Sequence, residues 1–570
     1  MKYSLLYPKQ DAKYKLLSQN TMHDLGFDNI CKQLSNVESE QNMILNIMSK
    51  MYADGDVISY RCDVFEDIIN NKDLREELLE SLDKIKFLKD YGSFGRGYDE
   101  SETVWDLMHR LDEINDYIKC VDSLHDVLQN KSIHSKGLTG LHDYIENIYK
   151  DNGFAQLKSD ISKLKFDTAS LKSITVGINL NDRFEASGIG LISVNNKYFT
   201  KSGVISNFCD HIASKDKINS DTEWKGDFKY HQIEPNDAEG AAEVLYKMGA
   251  MTAALKNPMY AATGVAALNA SDGNRDITLY MNRAVNQVIT SMVKNLKEIL
   301  SRYVGVTITD MTDLIPELIY YVKWAEYIEK ISKSGAHFSK ASVISEFDKN
   351  AYRVKARGIY NIKLAVQDTV EGEAIVTNDI DFDDRNRTYI LTGANRGGKT
   401  TITQAVGQLF VLAQGGIYIP GDEFEFAPVD CIYTHFPADE DKTFDLGRLG
   451  EECKRFKEMY SEASDKSLLL MNETFSTTSF EEGYFIAKDS VKAILDKGIR
   501  TIYNTHMHKL AMELESINSE AYEAKAQSLI VCSEDGERSY RIKVAAPTGH
   551  SYANDIAQKY GVTYEQLIQG

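Results

Sequence analysis

Gly393-Ala394-Asn395-Arg396-Gly397-Gly398-Lys399-Thr400 follows the spacing G-x-x-x-x-G-K-[ST], and each residue type in it has a chemical reason. Glycines let backbone N–H groups turn toward phosphate oxygens, the lysine reaches the β- and γ-phosphates, and the following hydroxyl can ligate Mg2+. Lys399 and Thr400 hold those positions, and Thr401 enters the helix behind them. Such a loop works where a strand delivers it and a helix N-terminus lies beneath it. "TYIL" before it is a β-branched and aromatic run that reads as a buried strand, and "TTITQAVGQLFVLAQ" after it is an apolar-periodic helix. The stretch Thr388 to Val406 therefore predicts a bound nucleotide with Mg2+.

A second chemical group follows. "SLLLMNE" reads as a hydrophobic strand ending in Asn472 and Glu473, which places polar groups beside the phosphates at a strand's carboxyl end. A carboxylate there can orient or deprotonate an attacking water, so Glu473 is the candidate for that role. "RTIYNTHMHKL" is another strand with His506 just beyond it, and His508 reads as a surface residue.

In order and spacing, "IVTNDIDFDD" upstream of the loop and "AQGGIYIPGDEFEFAPVDCIYTHFPADED", "SLLLMNETFSTTSFEEGYFIA" and "RTIYNTHMHKL" downstream resemble the ATPase domain of the MutS family. These are ABC-type ATPases associated with DNA mismatch repair. The closing "GHSYANDIAQKYGV" resembles the segment that ends that domain, and the matches together cover about 355 to 565. The resemblance implies that His506 is a switch histidine sensing the γ-phosphate, the alternative being a structural histidine. It places Asn378 and Asp379 near the base, against a plain turn. It also places a signature segment at Gly447-Arg448-Leu449-Gly450-Glu451-Glu452, which would complete the site of the opposite subunit, against a plain helix start. The family's Ser-Thr pair is replaced there by Gly447 and Arg448, whose backbone N–H and guanidinium could still bind a phosphate in trans. Asn472 stands where the family carries an Asp that holds the Mg2+ shell. An amide still offers an oxygen to the metal set of Thr400, Asn472 and Glu473, but the negative charge is gone, which implies slow hydrolysis.

Such a site must be carried by a larger body. The chain has 570 residues, enough for about three to four domains. Eight prolines occur and none between Pro8 and Pro235, so long helices are expected in the first part. Residues 1–170 read as a helical, core-like scaffold, weakly similar to the family's core. Residues 171–235 read as a small β-containing insert, with "SITVGINL" and "GIGLISV" as strands. Across 154–230 there are 11 Lys and Arg against 9 Asp and Glu, either a solvated surface or a contact for a polyanion. Residues 236–350 read as a helical lever, with a near-heptad seam from Ile277 to Ile299. Residues 351–570 then form the ATPase domain. The fold class is thus multidomain α plus α/β, a helical core and lever region followed by a C-terminal ABC-type P-loop ATPase domain.

Net charge is −20, so any nucleic-acid contact must be local. Seven cysteines without a C-x-x-C pair, and no run of about 18 apolar residues, predict a cytoplasmic protein with no membrane span. No Phe-x-Glu tripeptide occurs in the first 150 residues, so the family's mismatch-reading wedge is not expected, nor is the nuclease-like tail of one of its classes. The resemblance implies a homodimer through the ATPase domains that grips DNA under ATP control. RNA or the ribosome is the alternative target, and a nucleotide-gated interaction module with little turnover is the third reading.

Overall fold

The computed structural model describes residues 3–8, 12–91, 104–129, 133–169, 173–180, 186–195, 314–344, 352–365, 375–393, 397–437, 447–477, 479–520, 522, 524–534, 537–547 and 560–569. The Ile277–Ile299 seam, most of the expected insert and lever, and Ala394, Asn395 and Arg396 lie outside them. Contacts group the chain into two units: Met1–Asp83 with Ser123–Glu146 and Thr312–Gly570, and Lys84–Asp122 with Asn147–Met311. This grouping cuts across the expected sequential domains, since the first helices and the last third share one unit.

In the second unit the described residues come from helices and a hairpin. Lys158 in the helix Asn152–Ala169 pairs with Asp122 at 2.8 Å, and Phe154 meets Tyr117 edge to face. Strands β1 (Ser173–Leu180) and β2 (Ala186–Asn195) cover the two runs read as strands, and they pair antiparallel.

The first unit opens with helices α1 (Gln19–Asp24), α2 (Phe27–Leu34), α3 (Glu38–Met48) and α4 (Gly55–Asn70). Asp54 caps α4 by accepting from the N–H groups of Asp56 and Val57. Its buried face carries Val57, Ile58, Arg61, Cys62, Phe65 and Ile68 at helical spacing. Helix α5 (Leu314–Ser332) packs on α2, α3 and α4 and is buried nearly all round, with Tyr320, Tyr321 and Trp324 inside. Its Glu317 holds the N-terminal segment, accepting from Leu5 N at 2.6 Å and Ser4 Oγ at 2.8 Å.

The α/β portion follows. A small sheet runs in the order Ser342–Val343, β6 (Glu423–Phe426), β3 (Val354–Ile359), β4 (Asn378–Phe382). The main sheet uses β5 (Asn386–Thr392), β7 (Ile432–His435), β8 (Leu468–Asn472), β9 (Arg500–Asn504), β10 (Lys525–Glu534) and β11 (Glu537–Val544) in the order β7-β8-β9-β5-β10-β11. All pairs are parallel except β10 with β11. The central strands LLLMN and RTIYN are buried throughout, as expected for a parallel sheet covered on both faces.

Helix α6 (Lys399–Gln414) packs on β8 and β9 and also on α4. Its glutamines clasp the N-terminal helices. Gln404 Nε2 donates to Asp24 O at 2.6 Å, Gln408 Nε2 to Leu25 O at 2.9 Å, and Gln414 Nε2 to Tyr52 O at 2.7 Å. Helix α7 (Gly447–Glu462) precedes β8, and α8 (Phe480–Lys497) follows it, capped by Ser479 and ended by Gly498 in the left-handed conformation. The short helix α9 (His508–Met512) follows β9. The molecule is thus mixed helical and α/β, with its six-stranded sheet in the C-terminal part. Among the described residues no helix is long and apolar enough to cross a membrane.

Candidate nucleotide site

The carboxyl ends of the parallel strands converge, because register aligns His435 with Met471, Asn472 with Asn504, and Asn504 with Leu391. Strand β5 delivers the loop there. Gly393 has φ 147°, and a Cβ on it would come within 2.9 Å of Val531 Cβ. Gly398 has φ 87° and caps α6 without a side-chain hydrogen bond, at the end of the helix whose N–H groups and dipole favour an anion. Lys399 begins the helix, buried, with Nζ donating to Gly393 O at 3.0 Å. Burial pulls its pKa down, and the Glu473 charge opposes that. Thr400 Oγ1 donates to Asn472 Oδ1 at 3.0 Å, and Thr401 O accepts from Asn361 Nδ2 at 3.1 Å.

Glu473 follows directly, in the left-handed region at φ 53°, held by its N–H on Asn504 O at 2.8 Å. His506 Nε2 lies 2.6 Å from Glu473 Oε1. That bond holds the Glu473 carboxyl below its usual range; burial opposes it, and the charges of His506 and Lys399 assist. Lys399, Thr400, Asn472, Glu473 and His506, from three separate stretches of sequence, thus meet in one cluster.

Residues 53–334 match the family model described as MutS2 N-terminal domain, and residues 389–567 match MutS domain V. The chain belongs to the MutS family. It is 27% identical over 289 residues to Endonuclease MutS2 of Caldicellulosiruptor bescii, covering 50% of this chain and 36% of that protein. With Endonuclease MutS2 of Thermus thermophilus it shares 27% identity over 195 residues, 34% of this chain and 25% of the relative. With DNA mismatch repair protein MutS of Chlorobium limicola it shares 31% over 193 residues, 33% and 22% of the two chains. The matches therefore span about a third or less of these relatives' own lengths.

Within this MutS-family chain, the other expected positions lie on β4, α7 and α9. Asn378 and Asp379 begin strand β4 and do not form a turn. Asn378 clasps the edge strand β11, donating to Tyr540 O at 3.2 Å and accepting from Ile542 N at 2.7 Å, while Asp379 accepts from Gly358 N at 2.8 Å. Gly447, Arg448 and Gly450 fall in the first turn of α7. His508 is half-buried at the start of α9 and not a plain surface residue. Burial and the charges of His506 and Lys399 push its pKa down, which keeps the imidazole neutral.

Sequence reading missed Asn504. Its Nδ2 donates to Asn472 Oδ1, so the amide oxygen facing Thr400 is fixed from both sides. The signal was present, since both strands end in a polar residue after a buried run. Asn361, which ties Thr401 and Gln404 to the loop after β3, had no local signal.

Thr400, Asn472 and Glu473 supply oxygen donors side by side, the ligand type Mg2+ takes. Mg2+ that arrives with nucleotide phosphates needs one or two protein ligands, so this donor set fits it with one negative charge fewer than an Asp at 472 would give.

Proposed function

We propose that this MutS-family chain is a cytoplasmic, ATP-gated ATPase that dimerises through its nucleotide domains and holds DNA. The observation that carries the reading is the Glu473–His506 pair at 2.6 Å beside Lys399 and the Thr400–Asn472 contact. In this reading the N-terminus of α6 and the loop 393–400 bind the phosphates, with Lys399 on the β- and γ-oxygens. Glu473 orients water for attack on the γ-phosphorus and accepts its proton, and His506 holds that carboxylate in place and senses the γ-phosphate. Bound Mg2+ neutralises phosphate charge. Asn378 and Asp379 flank the base, and Gly447, Arg448 and Gly450 of one copy face the γ-phosphate held by the other. Residues 236–350 act as a lever moved by closure of the dimer. The name of one relative, DNA mismatch repair protein MutS, supports DNA as the polymer held.

ATP moves such a device only if its open and closed states bind ATP with different affinity. Light scattering with Mg2+ and a non-hydrolysable ATP analogue, with and without duplex DNA, tests this. A nucleotide-dependent dimer that retains DNA supports the reading. A dimer that ignores DNA redirects the search to RNA or the ribosome, and a permanent monomer removes the trans site. Asn472 favours a second reading, a nucleotide-gated interaction module; turnover equal to that of Lys399→Ala decides for it.

A further inference from the structure

The residue after Glu473 is tied to helix α7 through a buried histidine that the nucleotide site does not itself use. His435 ends β7 at 2% exposure. Its Nε2 lies 3.1 Å from Glu452 O on α7, and its Nδ1 lies 3.1 Å from Thr474 Oγ1. A carbonyl only accepts, so the ring carries its proton on Nε2, and the single proton of the Thr474 hydroxyl is shared between His435 Nδ1 and, at 3.3 Å, His435 O. Burial, helped by Arg455, pulls the ring down to about 4, so it stays neutral and keeps one tautomer. One further tie joins α7 to the same place. Arg455 Nη1 donates to Phe436 O at 3.3 Å.

The loop so held is strained. Glu473 and Phe475 both have positive φ, 53° and 63°, and Thr474 lies between them with its carbonyl taken by Tyr503 Oη at 3.0 Å. Such a backbone persists only where its surroundings fix it from several sides. We propose that His435, Thr474 and Glu452 form a latch by which the position of α7 sets the position of the Glu473 carboxylate. The inference rests on the ATPase reading above and deepens it. The first turn of α7 is the segment assigned to the partner's nucleotide, so engagement there would be delivered to Glu473 along one rigid helix and one imidazole. His435 and Thr474 are positioning residues and touch no substrate.

The test compares Thr474→Val with Thr474→Ser in the full chain. Valine keeps the volume and loses the hydroxyl; serine keeps the hydroxyl and loses a methyl. A packing role favours valine, whereas the latch favours serine. We expect Thr474→Val to lower kcat by roughly 10- to 100-fold, the scale of a misplaced catalytic group, with affinity for an ATP analogue unchanged. Thr474→Ser retains most of the rate. His435→Phe behaves as Thr474→Val, and the double variant adds no further loss, as for two members of one linkage. Valine turning over as fast as wild type, or affinity falling along with rate, overturns the latch. If His435→Phe does not fold, the two Thr474 variants decide alone. Glu473→Gln separates the layers: loss of turnover there with normal Thr474→Val sinks only the latch. Wild-type turnover no greater than that of Lys399→Ala removes the ATPase reading and the latch with it.

Discussion

Thr400 and Asn472 face each other at the head of the parallel sheet, hydroxyl to amide oxygen at 3.0 Å. Asn504 donates to that same oxygen from the neighbouring strand. In both bonds Asn472 Oδ1 is the acceptor, so a carboxylate could replace the amide without turning any partner around.

Asn472→Asp is therefore expected to fold normally and to bind Mg2+ more tightly. Charge-assisted bonds are about twice as strong as neutral ones, so the Mg2+ concentration for half-maximal turnover should fall. A Mg2+ titration of ATP hydrolysis checks this; an unchanged or higher midpoint removes Asn472 from the metal set.

The Glu473–His506 contact predicts a pH effect. The hydrogen bond from His506 lowers the carboxyl, so the group stays ionised below the ordinary carboxylate range. Because the folded value is depressed, its contribution to stability is present above the unfolded value and is lost as pH falls through the folded value. Side chains 40% and 35% exposed make that contribution small, and the reaction is the better readout. His506→Ala should move the acid limb of kcat/KM to higher pH, since burial then acts with less opposition. An acid limb that stays in place would detach His506 from Glu473.

Gly398 sits at φ 87°, and an added Cβ would meet only Tyr540 at ordinary van der Waals distance, Cδ1 at 3.4 Å. The cost of Gly398→Ala is therefore conformational, about 1–2 kcal/mol for a left-handed residue. Calorimetric titration with ATP should show an affinity loss of roughly 5- to 30-fold. Gly393→Ala adds a collision with Val531 and should do more damage; equal affinity in both variants would contradict this account.

The site was legible where its residues are neighbours in sequence. Gly393 to Thr400 carry their own turn, and the runs before and after them declare a strand and a helix. The pairing of Asn472 with Asn504, and of His435 with Thr474, depends on strand order, which no local pattern encodes. His508 misled because no local pattern shows that α9 folds its ring halfway under. The helices described between Gln19 and Ala169 followed from apolar periodicity. That same periodicity says which face is buried but not against what, so the docking of α1 and α4 on α6 was not foreseen.

Gln408 tests that docking. Its side chain is fully buried and bonded to Leu25 O, Asn361 Oδ1 and Ile362 N. Gln408→Leu fills the volume but removes the partners of a carbonyl and an N–H, at about 1–3 kcal/mol for each group left unpaired. Thermal unfolding should shift down by several degrees, and a variant as stable as wild type would show that water replaces the amide.

The hold of Glu317 on Leu5 joins residues 312 positions apart. At ordinary elongation rates roughly 15–60 s separate the emergence of the two. Throughout that interval the first helices carry an apolar face whose covering helix has not yet been made. Translation speed and chaperone capture, more than the strength of any finished contact, should therefore govern how much of this chain reaches its native form.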